Sequence, residues 1–286
     1  MVAIQQITTF DFGDGNGPVP AHRHPNGGGW VANTARVDEM AFVGPLARVF
    51  GTARVYDQAR VFDQSEVFGE ALVYENASLW DRSRVYENAK VYGEARVSGD
   101  ARVCENARIG EYARVGEYAL ASGNVCIYGK AVVKDHALVT DSSQIHDHAT
   151  VDGYSQVKGD AWVFGSAHVY GEALVGGNAK ISEWAQVYGQ AIVIDRAEVT
   201  DYAWVYENAR IFDQAQVGGF ARVLGNVIVK DRAKVLGETD ISGCLIINDT
   251  TELSRPVSAS YGVASPDTQQ EDAKAADRKS RKGRGL

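Results

Sequence analysis

The apolar positions of this chain recur with a period of six. From Val37 to Leu253 every sixth residue is Val, Ile or Leu, with Ala121 as the one exception. The residue two places earlier is nearly always Ala, as at Ala53, Ala59 and Ala71, with Ser65, Ser83, Val125, Val227 and Leu245 among the substitutes. No insertion or deletion interrupts these 37 hexads. A helical period does not generate apolar residues at i and i+2 followed by a gap of four. Short strands separated by turns do. In Ala53-Arg54-Val55-Tyr56, Ala and Val face one side of an extended segment and Arg and Tyr the other. Two turn residues follow. The first of them is Asp, Glu or Gly in every hexad from Asp57 to Asp249. Gly and Asp tolerate the backbone angles of a tight bend, and Asp also bonds its own backbone. Glu has no comparable explanation from sequence.

A six-residue unit cannot bury its own apolar side, but stacked coils can. Three hexads make a triangular coil of 18 residues, so the repeat predicts about 12 coils and, at roughly 4.8 Å per coil, a rod about 58 Å long. Val and Ile fill its interior, and Ala sits where the corner is tight. The fold class expected is all-β, a three-sided parallel β-solenoid with caps over its open ends.

The hexad Val-Tyr-Asp-Gln-Ala-Arg at residues 55–60 resembles the aliphatic-x-x-x-small-x signature of the hexapeptide-repeat superfamily. The resemblance covers residues 31–255 and implies a left-handed parallel β-helix. The entry segment Gly27-Gly28-Gly29-Trp30-Val31 is similar to uncharacterised bacterial and phage members that carry Gly-Gly-Trp-Val before very regular repeats. Many members are acyl- or nucleotidyl-transferases, some are zinc carbonic anhydrases of the γ type, and trimers are common. Their sites lie between subunits, on loops that break the repeat, and use a His as base or ligand.

Outside the repeat the chain divides simply. Residues 1–30 are expected to form an N-terminal cap, with Trp30 plugging the first open coil. Residues 31–255 form the solenoid. Residues 256–286 form a C-terminal cap and basic tail, with Pro256 as the stop, because it cannot donate to a sheet. Residues 266–286 have a disordered composition. The net charge is −8. Removing +3 for residues 254–286 and −1 for residues 1–30 leaves −10 on the body, which disfavours nucleic acid except through the tail at 278–284. Three Cys fit a reducing, cytoplasmic setting. No secretory leader or apolar membrane span is read.

Residues 18 apart stack, which turns sequence into surface columns. Tyr56, Tyr74 and Tyr92 form one aromatic column, and Arg60, Arg96 and Arg114 a basic one. Together they are the candidate binding surface, with cation–π packing expected between Tyr and Arg. A further outward column is mostly apolar: Leu120, Leu138, Leu174, Ile192, Ile228 and Ile246, flanked by Ile194 and Phe212. It is the candidate oligomer interface, for a trimer or dimer of this chain. Asp195, Asp213, Asp231 and Asp249 stack at one corner. Their mutual repulsion requires compensation, for which Arg196 and Arg232 are the sequence candidates, with calcium as the alternative.

Chemistry is sparse. His146, His148 and His168 are weak catalytic candidates. His22, His24, His148 and His168 are weak metal candidates, because zinc catalysis needs three protein ligands. No phosphate loop, cofactor motif or nucleophile–base spacing is present, so no cofactor is expected. The reading is a structural or surface-binding solenoid, oligomeric, with an end-to-end or other protein partner possible. The first alternative is a hexapeptide-type acyltransferase or γ-carbonic-anhydrase-like enzyme. The second is an acidic mimic of DNA that occupies a DNA-binding protein.

Overall fold

A computed structural model describes residues 8–254 and 258–260. Every regular element among them is a β-strand. The chain separates into two compact units, residues 1–165 and 166–286.

In the first unit, two-residue strands such as Arg54–Val55, Arg60–Val61 and Glu66–Val67 follow one another at the six-residue period. Each pairs in parallel with the strand 18 residues on: Val55 with Val73, Val61 with Leu79, Val67 with Val85. Three parallel sheets result. The first contains Arg48–Val49, the second Arg54–Val55 and the third Arg60–Val61. The second unit repeats the plan, with Leu174 on Ile192, Lys180 on Glu198 and His168 on Gln186. Both units are therefore three-sided parallel β-solenoids, as the hexad requires.

The interior follows from the same arithmetic. The aliphatic positions stack on copies of themselves, for example Val49, Val67, Val85 and Val103, all fully buried. Burying each such side chain contributes about 1.5–3 kcal/mol. Polar substitutes at the small position find partners inside: the Ser83 hydroxyl donates to Ser65 Oγ at 3.2 Å, and Ser143 Oγ to the Thr140 carbonyl at 2.7 Å. Corners close as four-residue turns. In Tyr56–Ala59 the Ala59 N–H donates to the Tyr56 carbonyl at 3.1 Å, with Asp57 at φ 56°.

The N-terminal segment covers the edge of the first sheet. Thr9–Phe10 pairs antiparallel with Val19–Arg23, which pairs antiparallel with Trp30–Ala32. Trp30–Val31 then opens the parallel stack against Arg48–Val49. Trp30 does not plug the coil. Parity aligns Val31 with the interior Val49, so Trp30 faces outward. There it stacks on Phe10 at 4.4 Å and lies under the Arg23 guanidinium at 4.2 Å. The glycine run serves close approach. A Cβ on Gly27, at φ 111°, would lie 2.3 Å from the Val43 carbonyl oxygen.

The repeat also continues past Pro256. Ser258–Ser260 pairs in parallel with Asp240–Ser242, in the register the 18-residue step demands. Pro256 itself and the tail at 266–286, including the basic stretch 278–284, lie outside the described residues.

Candidate functional site

The corners explain the acids. Asp57, Asp63, Glu75, Asp81 and Glu87 all occupy left-handed backbone, at φ between 50° and 62°. Such a conformation costs a residue with a Cβ about 1–2 kcal/mol. The side chain offsets the cost. Asp57 Oδ2 accepts the Glu75 N–H at 3.1 Å, Glu75 Oε2 accepts the Gly93 N–H at 2.7 Å, and Glu87 Oε2 accepts the Glu105 N–H at 2.8 Å. Each carboxylate thus latches one coil to the backbone of the next. Glu fits as well as Asp because the acceptor reaches up the stack and not along its own chain.

The latch also answers the Asp195 column in the second unit. Asp213 N–H donates to Asp195 at 3.3 Å, Asp231 N–H to Asp213 at 3.0 Å and Asp249 N–H to Asp231 at 3.2 Å. Neither Arg196 nor Arg232 forms an ion pair among the described residues. The expected arginine compensation is replaced by backbone amides, assisted by Lys230 at 3.9 Å from Asp231. The same N–H groups lower carboxyl pKa values. The Gly165 amide, with help from His146, holds Asp147 below the usual carboxylate range, and the Gly153 amide does so for Asp135. Hydrogen bonding to Asp135 raises Glu117.

The aromatic columns stack. Tyr74 and Tyr92 lie 5.3 Å apart, Phe68 and Tyr86 4.9 Å, and in the second unit Tyr188 and Tyr206 4.8 Å. Burial pushes the Tyr86 and Tyr188 phenols up to about 12. Face-to-face stacking occupies the ring faces, and the expected Tyr–Arg cation–π contacts do not form among the six candidate residues. Tyr56, Tyr74 and Tyr92 lie on the second sheet, while Arg60, Arg96 and Arg114 lie around the corner on the third. Guanidinium–aromatic contacts occur elsewhere, as in Arg222 over Trp204 at 5.3 Å. A further ladder stands at a corner of the second unit: Trp184, Tyr202 and Phe220, each at least half exposed.

The histidines are placed individually. His146 is stacked between Tyr128 and Phe164, at 4.9 and 5.1 Å, and its Nδ1 lies 3.2 Å from Asp147 Oδ2. His148 is exposed at a corner of the first unit, and His168 lies in the second unit against Tyr170 at 4.3 Å. His24 is buried and its Nε2 bonds the Ala41 carbonyl at 3.0 Å, while His22 Nδ1 bonds Asn33 Oδ1 at 2.9 Å. Both serve the N-terminal fold. No group of three His, Cys, Asp or Glu is placed to hold a metal among the described residues.

Among the candidate interface residues, Leu120 stacks on Leu138 in the first unit and Leu174 on Ile192 in the second. Leu138 is the most exposed, at 37%; Leu174, Ile192, Ile194, Phe212, Ile228 and Ile246 are half-buried. No helix among the described residues is long and apolar enough to cross a membrane.

One surface feature was not anticipated. Between a corner and the second sheet of the first unit runs an open groove of about 430 Å³. One wall is Thr52, Asn88 and Asn106; the other is Arg54, Lys90 and Arg108. Its signal was in the sequence, as cations 18 residues apart, but only burial and pairing distinguish this column from its neighbours. No protein-family model and no curated protein matches the chain.

Proposed function

We propose that this chain is a non-catalytic β-solenoid of the hexapeptide-repeat type that works by presenting surface, as a structural or binding element assembled from copies of itself. The supporting observation is how the polar side chains are used. The corner acids latch coil to coil, His146 is a rung of an aromatic ladder, and His24 closes the N-terminal segment. No loop breaks the hexad between Val37 and Leu253 to enclose an acyl or sugar donor. The outward apolar residues, Leu138 in the first unit and Leu174 and Ile192 in the second, are the proposed contacts between copies.

One observation favours a catalytic reading. The His146–Asp147 pair has the geometry of an oriented base, although the His146 side chain is only 14% exposed. Thermal unfolding with and without acetyl-CoA, together with zinc analysis of the purified protein, separates the two readings. The proposal expects no thermal protection and no stoichiometric zinc. Either effect would replace it with an enzyme.

A further inference from the structure

We propose that the groove along the second sheet of the first unit is a binding site for an acidic oligosaccharide, one whose sugar rings carry carboxylates. This rests on the surface-binding reading above and supplies its ligand class. The argument starts from a contrast between two sheets of the same unit. On the first sheet the outward column runs Arg48, Glu66, Arg84, and the central carboxylate pairs with both guanidinium groups, at 3.4 and 3.2 Å. On the second sheet the corresponding column runs Arg54, Leu72, Lys90, Arg108. Leucine stands where the carboxylate would be. Lys90 and Arg108 are direct neighbours across adjacent strands, a like-charge pairing that is destabilising by itself and that also occurs between Arg84 and Arg102 on the first sheet and Arg96 and Arg114 on the third; this pair lines the groove. None of the Arg54, Lys90 and Arg108 side chains has an ion-pair or hydrogen-bond partner among the described residues. Some other polar side chains pair up the stack, as Arg82 with Asp100 at 2.7 Å and Asn76 with Glu94 at 3.0 Å.

The opposite wall decides the kind of anion. Asn88 and Asn106 offer amide groups that both donate and accept, and Thr52, whose hydroxyl donates to the Gly69 carbonyl at 3.1 Å, offers an acceptor oxygen, which together suit sugar hydroxyls. Leu72 provides an apolar floor for the C–H face of a sugar ring. Glu70 also lines the groove, and Glu87 and Glu105 stand at the same corner. Those carboxylates oppose a polymer charged at every unit, such as a nucleic acid or a polyglutamate, but accept hydrogen bonds from hydroxyls. The cations are interrupted at Leu72, so the complementary ligand carries its charges at intervals along a hydroxyl-rich chain.

The test is calorimetric titration of the full chain with tetragalacturonate, with cellotetraose, a single-stranded oligonucleotide and a tetraglutamate peptide as comparisons. Tetragalacturonate should bind without being cleaved, more weakly as salt rises. The double variant Lys90→Gln/Arg108→Gln should weaken it roughly tenfold or more, with circular dichroism unchanged. The matched variant Arg96→Gln/Arg114→Gln, on the third sheet, should keep affinity within about twofold. No binding of tetragalacturonate, equal binding of cellotetraose, tighter binding of the oligonucleotide or the peptide, or an equal loss in the third-sheet variant would each overturn the site. Absence of binding leaves the non-catalytic reading standing, whereas cleavage of the oligosaccharide would remove both.

Discussion

Replacing one corner acid tests whether the latch or the backbone angle selects Asp and Glu. Asp147 suits the purpose. It sits at φ 58°, its Oδ2 accepts the Gly165 N–H at 3.1 Å, and its side chain is 52% exposed. A hydrogen bond to a charged group is worth about 1.5–3 kcal/mol, and exposure reduces this to about 1 kcal/mol. Asp147→Ala loses that bond and also strains the left-handed backbone, so it should cost about 2 kcal/mol. Asp147→Gly removes the strain but loses the latch and loosens the unfolded chain, for a cost of about 1 kcal/mol. Asp147→Asn keeps a neutral acceptor and tolerates the angle, and should cost about 0.5 kcal/mol. The expected order of stability is Asp, Asn, Gly, Ala. Hydrogen exchange at the Gly165 amide reads the latch locally, with about fivefold faster exchange in the Gly variant, and urea unfolding reads it globally. If Asp147→Gly is as protected and as stable as the parent, the backbone angle alone selects the residue and the latch contributes nothing. Acid supplies a second reading. The folded pKa of Asp147 lies below its unfolded value. Its contribution is therefore complete above the ordinary carboxylate pKa of about 4 and disappears as pH falls through the lowered folded value. The stability gap between parent and Gly variant should close in that window.

Three further outcomes follow from particular contacts. A Cβ on Gly110 would lie 2.4 Å from Tyr92 Cζ, so Gly110→Val should push Tyr92 off its ladder and bring its burial-raised phenol pKa back down, read by spectrophotometric titration; an unchanged titration would show that the ring does not rest there. Ala121 stacks between Val103 and Val139, and Ala121→Val should stabilise by about 1 kcal/mol if the two added methyls fill a gap; destabilisation on urea unfolding would show an interior already full. Leu174→Lys/Ile192→Lys should reduce the mass measured by light scattering if their column joins copies of the chain; an unchanged mass, or a monomeric parent, removes that interface.

The fold was legible because the hexad is a physical unit. A small residue, an outward residue and an aliphatic residue specify one strand, and the invariant step of 18 specifies its neighbour. The ends of the repeat are less legible. A large apolar residue such as Trp30 suits an interior plug, but the alignment of Val31 with Val49 turns it outward. Pro256 lacks an N–H and so predicts a stop, yet the strand at Ser258–Ser260 follows it at the expected spacing.

The surface was harder to read because in a solenoid every outward side chain has neighbours above and below, which the sequence lists only at a distance. A column of arginines looks the same on paper whether a glutamate neutralises it, as Glu66 does, or a leucine leaves it open, as Leu72 does. A column of aspartates looks like a cation site until the amide of the next coil is seen to bond Asp195, Asp213 and Asp231. Tyrosine and arginine columns look complementary until stacking is seen to occupy the ring faces. Vertical partners are missing in several cationic columns of the first unit, as where Arg84 meets Arg102 and Arg96 meets Arg114. The informative column is the one that also lines a groove. Arg54, Lys90 and Arg108 face an open groove walled by Thr52, Asn88 and Asn106, and an anion bound there would relieve the stacking of Lys90 on Arg108.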